Sequence, residues 1–248
     1  MTWTPIDCHA HTTWSDGDLD LEAFVARVAA RDVRPSVSDH VSRDVAGSIK
    51  SLERLGAYLE ALTSHDVARS AEFCWHDGLW REVGPELHQR FSHRIGSLHA
   101  IWLGDGTLVR AFSRRWPAGL TPTAYIDAHL DNLERAAAQM PVEILAHPTL
   151  VPVMLRTTPG EELWSEAQEE RLAATLARAG IAFELSARYP PHERLVRRVL
   201  AHGVRLSLGS DGHRDDQVGN LALPLALART CGVADHELYD PHVHGKRS

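Results

Sequence analysis

The sequence predicts an α/β fold in which parallel strands form a barrel with helices between them. Strand-like and helix-like segments alternate about seven times, and no change of composition marks a linker. Polar residues stand at or just beyond the C-terminal ends of successive strands: His11, His40, Glu72, His99, His147, Glu184, Asp211 and His213. In a β/α-barrel these ends converge on one mouth, whereas in an open sheet they are spread along an edge, so the barrel is favoured.

Each element follows from its apolar spacing. A short strand at Pro5 and Ile6 leads into the first polar stretch, and further strands are predicted at 36–40, 68–75, 94–102, 142–148, 181–186 and 204–211. Helical spacing predicts helices at 19–32, 43–63, 122–139, 161–179, 191–202 and 216–229. Pro224 lies near the middle of the last one, which either tolerates it or breaks there.

We expect residues 1–248 to form one barrel domain, with an insertion over the mouth at 104–121 and a polar tail at 240–248. No leader-like or membrane-length apolar run occurs, which favours a cytoplasmic protein without a membrane partner. Three scattered cysteines are too few for a disulfide framework. The net charge of −7 argues against stable binding of long nucleic acid but not of a small phosphate ester.

The stretch from Asp7 to Gly17 offers the first metal ligands. On a strand, His9 and His11 point to the same face, and Asp16 follows in a Ser-Asp-Gly turn that can fold its carboxylate over the same rim. A chance pair is the alternative in a chain with 16 histidines. The polar residues at the ends of the later strands argue against a chance pair. A barrel would bring six histidines and several carboxylates together at its mouth, and such a cluster is electrostatically favourable only around metal ions.

These motifs together resemble the PHP family, the polymerase and histidinol phosphatase superfamily of metal-dependent phosphoesterases. The resemblance covers nearly the whole chain in order: Asp-x-His-x-His-Thr-x-x-Ser-Asp-Gly at 7–17, Ser-Asp-His at 38–40, Glu72, Ser-x-His at 97–99, Ala-His-Pro at 146–148, Glu-x-Ser at 184–186 and Gly-Ser-Asp-Gly-His at 209–213. It implies a distorted seven-stranded TIM-like (β/α)7 barrel with two or three metal ions at the C-terminal ends of the strands.

The resemblance also implies a ligand set. The first metal takes His9, His11, Glu72 and Asp211, the second takes Glu72, His99 and His147, and the third takes Asp16, His40 and His213. The ligands are nitrogen and oxygen only, which suits Zn, Mn or Fe and does not select among them. Hydroxide bridging the first two ions would attack phosphorus, and the third ion would help to stabilise the leaving alkoxide.

The predicted activity is hydrolysis of a phosphomonoester of a small metabolite, as in histidinol phosphatases. We assign catalytic roles to Glu72, Asp211 and His213, and substrate contacts to Arg188 and His40. Arg188 lies just past the sixth strand, where a guanidinium can pair with phosphate, although most single loop arginines are solvated. Two alternatives stay open: a nuclease or oligonucleotide phosphodiesterase of the same family, and an inert metal-binding module.

Several further side chains are left with two interpretations each. Asp7 either orients a ligand histidine or caps backbone amides, and Glu184 has either a supporting or a substrate role. Asp39 is expected to be structural and Cys74 to lie in the core. The arginines at 110, 114 and 115 either hold an anionic substrate or form a solvated charge run. The ten histidines outside the ligand set are expected mostly on helix surfaces or loops.

Overall fold

The computed structural model describes residues 3–246, and these form an α/β fold with mostly parallel strands. The strands are β1 Ile6–Asp7, β2 Arg34–Val37, β3 His40–Val41, β4 Ala68–Arg69, β5 Glu72–Cys74, β6 Ile95–Ser97, β7 Ala100–Trp102, β8 Leu108–Arg110, β9 Ile144–Leu145, β10 Ala182–Ser186 and β11 Leu206–Gly209. The α-helices are α1 Leu21–Ala29, α2 Leu52–Leu62, α3 Pro85–Arg90, α4 Pro122–Gln139, α5 Gly160–Leu163, α6 Glu166–Ala179, α7 Glu193–Ala201, α8 Ala222–Thr230 and α9 Pro241–His244.

The parallel strands form two sheets. One has the order β1-β2-β4, and the other has the order β11-β10-β9-β6-β5-β3. β10 and β11 pair from Phe183 opposite Leu206 to Ser186 opposite Gly209. The predicted α/β class with parallel strands is therefore confirmed.

The predicted count of seven strands is not confirmed, and the structure shows no closed barrel. The predicted strands 36–40 and 68–75 are each split, because β2 and β4 pair in the three-stranded sheet while β3 and β5 pair in the six-stranded one. β1 ends at Asp7. Beyond it, single backbone hydrogen bonds replace a ladder, as where Cys8 N donates to Leu208 O at 2.9 Å.

The helices follow the predicted spacing, with differences at their ends that local chemistry explains. α4 has the predicted bounds. α2 begins at Leu52 rather than at 43, because the Ser51 hydroxyl caps it and the preceding residues return to the sheet, where Ile49 N donates to His40 O at 2.8 Å. α8 begins at Ala222, so Pro224 lies in its first turn, where the missing N–H is not needed.

Two features of the fold were not predicted. The segment 161–179 divides into α5 and α6 because Ser165 and Gln168 form a capping box that starts a new helix. Within the predicted insertion 104–121, β8 pairs antiparallel with β7. Ala111 N then donates to His99 O at 2.8 Å, which ties the insertion to the residues between β6 and β7, the two strands into which the predicted strand 94–102 is split. Within residues 3–246, none of the helices combines the length and apolar composition needed to cross a bilayer.

The apolar core lies between the sheets and the helices, and it contains two histidines that were expected at the surface. His93 and His129 are fully buried. His129 Nε2 lies 2.9 Å from Pro148 O and donates to it as the neutral ring. Burial lowers the pKa of His129 to about 4 and that of His93 to about 4 as well. The prediction of a helix-surface position was wrong for His129, because it lies on the inward face of α4, whereas His93 lies in the loop before β6 but is buried there.

The buried His129 predicts a pH dependence of stability. The folded chain keeps this ring neutral down to pH 4, whereas the unfolded chain takes up a proton near pH 6.5. Its contribution to the free energy of unfolding therefore falls as pH drops through this window, by about 2 kcal/mol between pH 7 and pH 5. Urea unfolding of the wild type and His129→Gln should show their stability difference shrinking by that amount. A difference that is constant with pH would contradict the assignment.

Candidate metal centre

The nine side chains predicted as metal ligands lie together in one cluster. Within residues 3–246, four overlapping groups place their potential ligand atoms within 4.8 Å of one another: His11, Asp16, His40 and His213; His9, Glu72 and His147; His9, His11 and Asp211; and His40, Glu72 and His99. The residues that the sequence placed at successive strand ends are thus close in space. Their metal ligation stays a prediction, and so does their assignment to separate ions.

The carboxylate of Glu72 is at the middle of the cluster. Its Oε1 lies 3.2 Å from Nε2 of both His99 and His147. Its Oε2 lies 2.6 Å from His40 Nδ1 and 3.4 Å from His9 Nε2. Glu72 begins β5, and its register opposite His40 on β3 brings these two side chains to the same end of the sheet. One carboxylate therefore faces four imidazole nitrogens.

The geometry of this cluster fits a bound cation. Both carboxylate oxygens of Glu72 are buried, and neither has a hydrogen-bond partner. His9 and His11 point their Nε2 atoms at each other across 3.1 Å, although His9 Nδ1 already faces a carboxylate. Buried polar atoms without partners are costly, and converging lone pairs of nitrogen and oxygen are the arrangement that a transition metal ion satisfies. The residues present therefore fit the predicted group.

The electrostatics of the cluster also favour positive charge. Burial raises the pKa of Glu72, but the imidazoles of His40, His99 and His9 outweigh it and hold the pKa well below the ordinary value. Burial lowers the pKa of His99 and of His40, but Glu72 raises them to about 10 and about 9. The buried carboxylate is therefore ionised and stabilises cations around it.

The backbone is strained at two of the predicted ligands. His147 has φ of 30° and Asp211 has φ of 49°, in the left-handed region that residues other than glycine rarely adopt. Asp211 N donates to His9 O at 2.8 Å, which holds the turn after β11 against the segment that follows β1. Strain of this kind persists where the surrounding structure fixes it, and it is concentrated at functional sites.

Glu184 holds two of the predicted ligands in place. Its Oε1 accepts a hydrogen bond from His9 Nδ1 at 2.7 Å, and its Oε2 accepts one from the backbone N–H of His147. The bond to Nδ1 fixes the tautomer that leaves His9 Nε2 open toward the cluster. Glycine at 209 makes room for this carboxylate, because a Cβ there would lie 2.8 Å from Glu184 Cδ.

The carboxylates of Asp7 and Asp39 accept hydrogen bonds from backbone amides and hydroxyl groups rather than from imidazoles. Asp7 accepts from Ser210 N at 2.8 Å, from the Ser210 hydroxyl and from Gly219 N, so of its two interpretations the structure shows amide capping. Asp39 accepts from the hydroxyls of Thr12 and Ser15 at 2.7 and 2.6 Å, which shapes the turn that carries Asp16. The structural role expected for Asp39 is thus confirmed.

The predicted third site is at the open side of the cluster. Asp16 Oδ1 lies 3.6 Å from His40 Nε2 and 3.4 Å from His213 Nε2, and the Asp16 side chain is 37% exposed. Arg188 also reaches this side, with Nη1 3.0 Å from His213 Nδ1 and 4.0 Å from Asp211 Oδ1. Solvent and a substrate can therefore approach the cluster here.

Other residues contact the cluster or its rim. Cys74 is buried as expected, but its Sγ lies 3.2 Å from His99 Nδ1 and helps to orient that ring. Sequence reasoning missed two aromatic neighbours: Tyr189, whose ring centroid lies 5.6 Å from that of His147, and Phe112, whose centroid lies 5.6 Å from that of His99. The position of Phe112 in the insertion was the one signal available for it.

Comparison with known proteins shows which fold this is. Neither a scan against protein-family models nor a search of curated proteins gave a match. Among solved structures, the chain is similar to a candidate histidinol phosphatase of Listeria monocytogenes, with a TM-score of 0.70, 15% identity, and coverage of 87% of this chain and 97% of that one.

A second similar structure is the histidinol phosphate phosphatase of Lactococcus lactis subsp. lactis Il1403, complexed with zinc, L-histidinol and phosphate. The TM-score is 0.64 at 16% identity, and the match covers 94% of this chain and 95% of that chain. At such identities the likeness is one of fold. The chain therefore has the fold of these histidinol phosphatases, as its resemblance to the PHP family led us to expect.

Proposed function

We propose that the protein is a metal-dependent phosphomonoesterase that acts on a small phosphorylated metabolite. The observation that carries the proposal is the buried carboxylate of Glu72, which faces four imidazole nitrogens within 3.4 Å and has no hydrogen-bond partner. The similar Lactococcus lactis structure is a complex with zinc, histidinol and phosphate, and this supports both the metal and the class of substrate.

The proposed ligands hold two or three divalent ions, of Zn, Mn or Fe. Glu72 would help to hold a first ion with His9, His11 and Asp211 and a second ion with His99 and His147, while Asp16, His40 and His213 would hold a third. When bound, such ions lower the pKa of water and neutralise charge on phosphoryl oxygens. Asp211 and His213 are proposed as catalytic residues together with Glu72. His40 is proposed to contact the substrate as well.

Arg188 is proposed to bind a phosphoryl oxygen. His213 Nδ1 lies 3.0 Å from Asp211 O and 3.0 Å from Arg188 Nη1. The tautomer that leaves His213 Nε2 open for a cation carries its hydrogen on Nδ1 and donates it to Asp211 O. Nδ1 then accepts nothing from Arg188, so the guanidinium at the open side can turn its N–H groups to a phosphate oxygen.

Replacing Arg188 by alanine is expected to raise KM for a phosphomonoester about tenfold, since a charge-assisted hydrogen bond to the substrate is lost. The change in kcat should be smaller. Steady-state kinetics of Arg188→Ala beside Arg197→Ala, an exposed arginine on α7, separates a site effect from a general one. An unchanged KM would show that Arg188 is a solvated loop residue that does not bind the substrate.

The finer architecture belongs to the same proposal. We propose one domain over residues 1–248, in which the edges of the two parallel sheets come together as a distorted barrel. Backbone bonds from Ser38 N to Ala10 O and from Cys8 N to Leu208 O, both 2.9 Å, support this joining of the edges. The segment 104–121 is proposed to cover the mouth, since Phe112 lies beside His99.

The test is phosphate release from a panel of phosphomonoesters, with histidinol phosphate and nucleoside monophosphates included, beside a phosphodiester. The protein is assayed for metal content before and after dialysis against a chelator. Hydrolysis of monoesters that stops on metal removal and returns on metal addition is the expected result. Cleavage of the diester alone would instead identify a nuclease, and bound metal without any hydrolysis would identify an inert metal-binding module.

A further inference from the structure

A pocket opens beside the candidate metal centre. The roles proposed for the metal ligands and for Arg188 assign no function to this pocket. Its volume is about 470 Å³, enough for a metabolite-sized group. Its lining includes Leu150, Arg156, Trp164, Arg188, Tyr189 and His192. These residues come from the segments that follow β9 and β10, at the same end of the sheet as the cluster.

The pocket adjoins the proposed phosphoryl site through Arg188 and Tyr189. Arg188 belongs to both, because it lines the pocket and also approaches Asp211 and His213. Tyr189, the next residue, packs edge-on against the predicted ligand His147, with ring centroids 5.6 Å apart. A phosphoester bound at the cluster can therefore extend its leaving group into this pocket.

The charged side chains that line the pocket are positive. Two arginines line it, and none of its described lining residues is an aspartate or a glutamate. The carboxylate nearest to His192 is Glu169, and this carboxylate is buried and bonded to His192, Arg194 and Arg198. A leaving group with an ammonium group would find no counter-charge on these walls, whereas an anionic group would find Arg156.

Arg156 is held in position for such a contact. Its Nε donates to Val151 O at 3.0 Å, and its Nη2 donates to Ala111 O at 2.9 Å. Its guanidinium lies over the rings of Phe112 and Tyr189, at 5.0 and 5.3 Å from their centroids. Two backbone bonds and two aromatic faces fix the plane of the guanidinium, and the walls beside it are apolar and aromatic.

We propose that this pocket selects the leaving group, and that it takes one with a planar or apolar body and a second negative charge, a carboxylate or a further phosphate, paired with Arg156. The inference rests on the proposed phosphomonoesterase function and narrows its substrate class. It sets the substrate apart from esters with a cationic leaving group, of which histidinol phosphate is one.

The test uses two esters that differ in the charge at the far end of the leaving group. The phosphate monoester of 3-(4-hydroxyphenyl)propionate and that of tyramine have the same phenol and end in a carboxylate and an ammonium group. The metal-loaded protein should show a kcat/KM about tenfold higher for the carboxylate ester, the size of effect that a charged hydrogen bond at a partly exposed site gives. The ester of 4-ethylphenol should lie between them.

Variants assign the preference to its residue. Arg156→Gln should reduce the ratio of the two kcat/KM values to near one, and Arg156→Lys should keep its direction because the positive charge stays. Arg135→Gln, at an exposed arginine on α4 that bonds a carbonyl of its own helix, should leave the ratio unchanged. An equal rate for both esters in the wild type, or a preference for the ammonium ester, would overturn the inference while leaving the phosphomonoesterase function intact.

Binding separates this inference from the function on which it rests. The corresponding non-hydrolysable benzylphosphonates, one with a propionate and one with an aminoethyl group, are titrated calorimetrically into the metal-loaded protein. If neither ester is hydrolysed but the propionate binds more tightly through Arg156, the function fails and the pocket assignment is supported. Equal affinities of the two phosphonates would overturn the pocket assignment.

Discussion

Glu72→Gln is expected to reduce phosphate release about a thousandfold, the largest effect of any single substitution proposed for this protein. The amide keeps the size of the side chain but removes the charge that faces His9, His40, His99 and His147. It also presents an N–H₂ group to those imidazoles. Both ions that Glu72 is proposed to bridge should therefore be lost.

The measurement combines turnover with metal content. Elemental analysis of the purified variant should show two metal equivalents fewer than the wild type, and circular dichroism should show an unchanged fold. Glu82→Gln is the matched control, because Glu82 is paired with Arg43 at the surface and lies outside the cluster. Full metal content with normal turnover in Glu72→Gln would show that Glu72 does not bind the metal ions.

Glu184→Gln is expected to weaken metal binding by about 10- to 100-fold without touching a metal itself, the range seen when the support of a ligand histidine is removed. Glutamine can accept from His9 Nδ1 through its oxygen, but its N–H₂ group then faces the N–H of His147, which loses its acceptor.

Competition with a chromophoric chelator measures this affinity directly, and it does not depend on the choice of substrate. Glu22→Gln, the same substitution at an exposed position of α1, serves as the control. An unchanged metal affinity in Glu184→Gln would show that the carboxylate serves packing alone.

The sequence indicated the site better than it indicated the strands. The residues predicted as ligands could be grouped in advance because parallel strands bring their C-terminal ends to one edge, whatever the length of each strand. β1, β3 and β9 have only two residues each, and such short ladders depend on tertiary hydrogen bonds that no local pattern encodes.

Helix ends and the rim show what else local patterns can and cannot reveal. The break before α6 was readable, since Ser165 and Gln168 have the spacing of a capping box. The position of Arg156 was not readable, because it depends on carbonyl oxygens of Val151 and Ala111, one of them in a different loop. Contacts between loops, such as the one proposed to select the substrate, lie where the sequence has no periodicity.

The carboxylate of Asp7 has a consequence for how the chain folds. It accepts hydrogen bonds from Ser210 N and Gly219 N, more than 200 positions further along the sequence. Contacts of such long sequence separation form slowly, because the whole intervening chain must first become compact. During synthesis, His9 and His11 leave the ribosome early and then wait for Asp211. A metal ion that is held by His9, His11 and Asp211 together is therefore expected to bind only after residue 211 has been synthesised, to a nearly finished fold.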